Sequence, residues 1–267
     1  MTAPGSAFVG SVPENYNRHL GPLLFEPYAR DIVSRLPVKA GMRVLELACG
    51  TGIVTRALLG ALPGDATLVA TDFSEPMLAV AQQQVSPDPR LAWQKVDAVN
   101  PPFDDASFDV IVCQFGLMFF PDRPKAAGEM RRMLQTGGVA LVNTWDSMTA
   151  NAFVGTTQSA LTTSYREHPP QFLHTPYGLF DTAVLQQLFD GAGFASVSVE
   201  RVAAEGKATS RDVAVGFIRG SGVAGEIQER GYSHDAGVES AVAALDAQFG
   251  AGKTSWPLRA LVVSAKA

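Results

Sequence analysis

The stretch Val44 to Thr55, VLELACGTGIVT, decides the fold. Together with Arg43 its first half, RVLELA, is a short apolar run of the kind that forms a buried strand. Gly50-Thr51-Gly52 turns the chain, and Ile53 to Leu62 reads as a helix stopped by Pro63-Gly64. A strand that passes through two glycines into a helix lets backbone approach a ligand closely.

Outward from that unit the same alternation repeats. Thr67 to Thr71 is a second strand, and Ser74 can cap a helix whose Met77, Leu78, Ala81 and Val85 recur at helical spacing. Leu91 to Val96 and the nearly continuous apolar run Phe108 to Cys113 give a third and a fourth strand. A helix from Arg123 to Leu134 leads through Gly137-Gly138 into a fifth, Val139 to Thr144. Beyond Trp145 the rhythm breaks: residues 147–179 hold one helical stretch and a Pro-rich loop. Asp181 can cap a helix that stops at Gly191 to Gly193, before a sixth strand, Ser196 to Val202. Residues 209–250 read as two or three helices, and Leu258 to Ser264 as the last strand. The pattern predicts an α/β class: a Rossmann-like, seven-stranded, mostly parallel sheet with helices on both faces and helical insertions after strands 5 and 6.

Composition narrows the partners. The 267 residues carry a formal net charge of -5 and no run of Lys and Arg, which argues against nucleic acid or an anionic membrane surface. Met1 to Gly10 lacks the charged head and apolar stretch of a signal peptide, and no apolar run reaches the length of a membrane span. Cys49 and Cys113 offer neither disulfide pairing nor metal spacing, so a cytoplasmic setting and no metal are expected.

The loop's ligand follows from its acids. Twenty positions after Gly52, Asp72 ends the second strand, placed to accept hydrogen bonds from both hydroxyls of a ribose. Asp97 ends the third strand. The alternative, that both are solvated loop acids, ignores their common position at the edge where open parallel sheets bind ligands. A dinucleotide would want a third glycine where Thr55 stands, and its pyrophosphate would sit close to Glu46. A cationic sulfonium and ammonium tolerate that acid, so charge favours S-adenosylmethionine.

ELACGTG (46–52), TDFSEPML (71–78), VDA (96–98) and FDVIVCQFGLMFFPDRPKAAGEMRRMLQTGG (108–138) resemble, in order and spacing, the motifs of class I SAM-dependent methyltransferases. The branch most similar contains the ubiquinone and menaquinone biosynthesis enzymes. The resemblance implies that Glu46, Ala48, Gly50 and the glycine turn at Gly52 surround the methionine end of the cofactor. It implies Asp72 on the ribose, Phe73 and Met77 near the adenine, Asp97 and the Ala98 backbone on the ring, and Gln114 beside the methionine portion. The family often has glycine where this chain has Ala48. Pro13 to Arg30 resembles the family's entry helix, with Tyr16 as either a lid contact or a surface-packing residue. The implied organisation is one domain, 1–267, with lid helices at 1–40, a cofactor core at 41–145 and acceptor-side insertions at 146–180 and 205–252.

Methyl transfer is an in-line displacement that needs alignment more than side-chain chemistry, and a base only where the acceptor arrives protonated. Among His19, His168, His174 and His234, the candidates are His19, on the entry helix, and His174, whose segment also offers Tyr177. Phe115, Trp145 and Phe172 are candidates for an apolar acceptor pocket, whereas Met118 and Phe119 read as core. The expected product is S-adenosylhomocysteine and the expected acceptor a small lipophilic or phenolic molecule, its reacting atom open. A cofactor-binding regulatory protein without turnover and an NAD-dependent oxidoreductase are the alternatives; either a monomer or a homodimer fits.

Overall fold

A computed structural model describes residues 10–267; the reading of the N-terminus as free of a signal peptide, and the first nine positions of the 1–40 segment, lie outside them. The strands are β1 (Arg43–Leu47), β2 (Thr67–Asp72), β3 (Leu91–Lys95), β4 (Phe108–Gln114), β5 (Leu134–Trp145), β6 (Ser196–Lys207) and β7 (Ser255–Lys266). They form one seven-stranded sheet in the order β3-β2-β1-β4-β5-β7-β6. β3 to β5 run parallel, and β7 is antiparallel to both its neighbours. The order reverses between β1 and β4, which opens a crevice at their C-terminal ends.

The helices are α1 (Val12–Asn15), α2 (Glu26–Ser34), α3 (Ile53–Ala61), α4 (Glu75–Gln84), α5 (Arg123–Met133), α6 (Ala152–Ser164), α7 (Thr182–Gly191), α8 (Ser210–Arg219), α9 (Val223–Glu229) and α10 (His234–Phe249). Ser74 and Asp181 cap α4 and α7 as their positions predict, accepting hydrogen bonds from the Met77 and Ala183 N–H groups. Val44, Leu45, Val110, Ile111 and Val112 are fully buried, because helices cover both faces of the central strands. Among the described residues no helix is long and apolar enough to cross a membrane.

The antiparallel edge is longer than its sequence promises. Ala203 to Lys207 (AAEGK) has little strand propensity, yet each residue pairs with one of Ser255 to Arg259. Pairing with β7 imposes the extension, and it carries Gly206 beneath the N-terminal segment.

That segment departs furthest from expectation. Between α1 and α2, Tyr16–Phe25 is a π-helix of ten residues with Pro22 inside it. Bonding from i to i+5 gives about 4.4 residues per turn against about 3.6 in an α-helix, so residues nine apart share a face. Tyr16 and Phe25 accordingly stack, with ring centroids 4.6 Å apart.

Candidate active site

β1 delivers the chain to the crevice, and the loop that follows is set by three left-handed residues: Ala48 (φ 54°), Gly50 (φ 56°) and Gly52 (φ 82°). An alanine rarely adopts this conformation. Its methyl lies against Gly116, where any side chain would approach within 2.5 Å of it, so the small residue opposite makes room for Ala48.

Asp72 organises the loop. Its Oδ2 accepts the Gly50 N–H and its Oδ1 the Ser74 N–H, each at 2.8 Å. A carboxylate oxygen has two lone-pair sites, so both retain one for a further donor, as a pair of ribose hydroxyls requires. Burial raises the Asp72 pKa, against the lowering effect of the Ser74, Gly50 and Phe73 backbone hydrogen bonds. Asp97 accepts the Val99 N–H at 3.0 Å, a turn that holds its carboxylate at the end of β3.

Between them lies a cavity of about 190 Å³, lined by Tyr16, Ala48, Gly50, Asp72, Phe73, Met77, Asp97, Ala98 and Gln114. These residues were singled out from the sequence, and the fold brings them together. Glu46 borders a smaller recess that shares Tyr16, Ala48, Gly50 and Gln114 with it. Gly52 does not line either space. A Cβ there would stand 2.8 Å from Val85 Cγ2 and 3.2 Å from Ala81 Cβ, so this glycine lets the start of α3 pack closely on α4, a role not expected from the sequence.

Glu46 is buried and accepts the Thr55 hydroxyl at 2.6 Å. Burial is the main cause that pushes its carboxyl up from 4.5 to about 8, with the Asp72 charge adding to it and the Thr55 hydrogen bond opposing. Because the folded protein holds this proton more tightly than the unfolded chain, stability falls as pH rises from about 4.5 to about 8 and is level above that. Glu46→Gln keeps an acceptor for Thr55 and is expected to flatten the decline; melting temperatures measured across that range check it. An unchanged slope in the variant assigns the pH dependence to another group.

A second, apolar chamber of about 60 Å³ adjoins the main cavity and shares Tyr16, Phe115 and Phe119 with it. Phe115, itself at φ 55°, stacks on Trp145 with centroids 3.8 Å apart, and Trp145 in turn faces Tyr177 at 5.7 Å. Phe115, Trp145 and Phe172 all line this chamber. Phe119, read from the sequence as core, lines both spaces, while Met118 is core as expected.

The histidines are placed elsewhere. His19 Nδ1 lies 3.1 Å from Asp212 Oδ1 of α8, a hydrogen bond that ties the π-helix to the insertion. His174 is exposed in the turn before α7. Neither lines the main cavity, the apolar chamber or the recess at Glu46, so the structure brings neither to the site as a base. Tyr177 does reach the chamber, but burial and the neighbouring Tyr28 raise its pKa well above the ordinary value, so it stays a neutral phenol. Cys113, pushed up to about 12 by burial, is an inert thiol at neutral pH.

Sequence reasoning missed two residues that join the π-helix to the site. Asn17 accepts the Thr51 hydroxyl at 3.0 Å, and the Phe25 carbonyl accepts the Gln114 amide N–H at 3.1 Å. Asn17 belongs to the quoted entry segment, but it stands among Asn15, Arg18 and His19, so nothing in the sequence singled it out.

Residues 44–138 match the family described as methyltransferase domain. A demethylmenaquinone methyltransferase of Staphylococcus epidermidis is 34% identical over 134 residues, 49% of this chain and 56% of that protein. The chain thus spans little more than half the length of this curated relative. One of the same name from Staphylococcus carnosus is 28% identical over 71% of this chain and 84% of its own length. Among solved structures, Haemonchus contortus phosphoethanolamine N-methyltransferase 2, in complex with phosphomonomethylethanolamine and S-adenosylhomocysteine, superposes with a TM-score of 0.62. That match has 20% identity and covers 95% of this chain and 56% of that one. The fold is the Rossmann-like methyltransferase fold.

Proposed function

We propose, from the premise that residues 44–138 are a methyltransferase domain, that this chain transfers a methyl group from S-adenosylmethionine to a small lipophilic or phenolic acceptor. The product would be S-adenosylhomocysteine. The observation that carries the reading is Asp72, whose oxygens are aimed by the Gly50 and Ser74 N–H groups into a cavity that also receives Asp97 and Gln114. Bound there, S-adenosylmethionine supplies a methyl group already activated by a sulfonium.

The chain's own residues bind, orient and exclude water. Asp72 would hold the ribose, Asp97 and the Ala98 backbone the adenine, and Phe73 and Met77 its faces. Asp72 gives the floor of the site a negative potential suited to a cation, and Glu46, whose carboxyl is pushed up to about 8, adds its charge only as the pH rises past that value. The aromatic chamber beyond Phe115 offers a dry place for an acceptor, which favours collinear alignment of nucleophile, methyl and sulfur. No histidine lines either space among the described residues, so the reading assigns no imidazole base. The apolar walls agree with the quinone-related names of the curated relatives and favour a small molecule over a macromolecule.

Calorimetric titration tests the reading. S-adenosylmethionine is expected to bind at micromolar concentration, with NADH showing no heat at the same site. Tight binding without product from any phenolic or lipophilic acceptor would favour a cofactor-binding protein without turnover. Binding of NADH alone would overturn the assignment in favour of an oxidoreductase.

A further inference from the structure

One amide stands inside the sheet with its acceptor unused. Asn143 is fully buried on β5, and its Oδ1 has no hydrogen-bond partner. An enclosed polar atom left unpaired forfeits its hydration, so a leucine of similar volume would suit this strand better. A residue that costs stability in a strand core points to a task outside packing.

That task is visible on the next strand. Gln114 and Asn143 face each other in register on β4 and β5, and Asn143 Nδ2 donates to Gln114 Oε1 at 3.4 Å. Gln114 Nε2 in turn donates to the carbonyl of Phe25, the last residue of the π-helix, at 3.1 Å. The polarity of this relay is fixed. A carbonyl only accepts, so Nε2 must face Phe25 and Oε1 must face Asn143. Turning either amide would set oxygen against oxygen.

The relay uses one of the two Gln114 N–H groups and leaves the other in an amide plane held at both ends. Gln114 is half-buried, whereas Phe25 and Asn143 on either side of it are buried. It lines both the main cavity and the recess at Glu46, so its open side is the side of these two spaces.

Charge decides what that N–H can meet. Glu46 and Asp72 are the acids near this end, and among the described residues no lysine or arginine lines either space. The amino-acid part of S-adenosylmethionine carries a carboxylate beside its cations, and here neutral donors must hold it. An amide free to turn would present oxygen as readily as nitrogen, and oxygen repels a carboxylate. Fixing the amide in advance removes that loss.

We propose that Asn143 is a positioning residue, locking the Gln114 amide so that its free N–H donates to the carboxylate of the bound methyl donor. The role rests on the methyl transfer proposed above. Asn143 itself touches no ligand and acts through Gln114.

The test compares two ligands by calorimetry on the full chain: S-adenosylhomocysteine and 5′-methylthioadenosine, which keeps the nucleoside and sulfur but lacks the amino-acid part. The wild type is expected to bind S-adenosylhomocysteine about tenfold or more tighter. Asn143→Leu is expected to reduce that preference about fivefold, to bind 5′-methylthioadenosine as the wild type does, and to melt no lower. Gln114→Met is expected to reduce the preference by at least as much, and adding Asn143→Leu to it to cost nothing further. An intact preference in Asn143→Leu, or equal binding of both ligands by the wild type, overturns the role. Equal weakening of both ligands in a variant that melts several degrees lower shows a merely structural residue, and also overturns it. Losses that add in the double variant show that Asn143 does not act through Gln114. A wild type that binds neither ligand removes the methyl-donor reading itself, and the role of Asn143 with it.

Discussion

Replacing Asp72 with Asn is expected to weaken S-adenosylmethionine binding by about 100-fold or more while moving the melting temperature little. The two carboxylate oxygens of Asp72 each face a backbone N–H, from Gly50 and from Ser74. An amide can satisfy one of them and turns an N–H₂ group toward the other. Either Gly50 loses the bond that sets the loop, or the first turn of α4 loses the bond at Ser74. A hydrogen bond to a charged group contributes about 1.5–3 kcal/mol, and about 2.7 kcal/mol is a factor of 100 in affinity. The variant loses at least that much, because a ribose hydroxyl would also meet a weaker acceptor. Stability behaves differently. Asp72 is a buried carboxylate whose pKa is raised by desolvation, so removing its charge relieves part of what the mutation costs. Calorimetry beside thermal melting separates the two effects. Near wild-type affinity would mean that the loop keeps its shape without this carboxylate and that the donor is held elsewhere.

The main cavity was legible because most of its lining residues sit at strand ends, and strand ends are readable from apolar runs. Asp72 and Asp97 needed only β2 and β3 to be located for both to fall on the same sheet edge. Gly52 shows the limit of that reasoning. A glycine after a strand serves equally for ligand approach or for close helix packing, and only the position of Val85 across the turn distinguishes them. His19 failed for a different reason. It was a candidate only for its place on the entry helix, and the π-helix turns that segment so that Tyr16 and Phe25 share a face while His19 meets Asp212. Nothing local marks a π-helix: Pro22 cannot donate into an i→i+5 ladder, yet a proline equally ends or kinks an ordinary helix. Phe119 was read as core because aromatic residues after a buried strand commonly are. It is core on one side and cavity wall on two others, a distinction that depends on how the 146–180 insertion folds back with Phe172 beside it.

Gly206→Ala is expected to lift the π-helix off the sheet. Gly206 lies on the imposed extension of β6, and a Cβ there would come within 2.0 Å of the Leu23 carbonyl oxygen and 2.9 Å of its carbon. Both are backbone atoms, so no rotamer change relieves the clash. The helix cannot move far sideways either, since α8 approaches it closely at Gly216, where a Cβ would reach 2.5 Å from Leu20 Cδ2. Overpacking of this kind costs about 1–3 kcal/mol and sometimes more, and at about 2–4 °C per kcal/mol the melting temperature should fall by roughly 2–12 °C. The functional effect follows from what the π-helix carries. Tyr16 and Phe25 wall the apolar chamber, and the Phe25 carbonyl accepts the Gln114 amide at 3.1 Å. Binding of aromatic probes such as 2-naphthol should therefore drop by at least tenfold, whereas S-adenosylmethionine, which the proposed function places on Asp72 and Asp97 at the ends of β2 and β3, across the sheet from Gly206 on β6, should lose less. Gly60→Ala is the matched control. That glycine is exposed in α3 with open space around its missing Cβ, so alanine should stabilise the helix by about 0.5–1 kcal/mol and leave both ligands unaffected. A Gly206→Ala protein that melts with the wild type and binds the probes equally well would show that the π-helix does not rest on β6, and the wall of the chamber would have to be sought elsewhere.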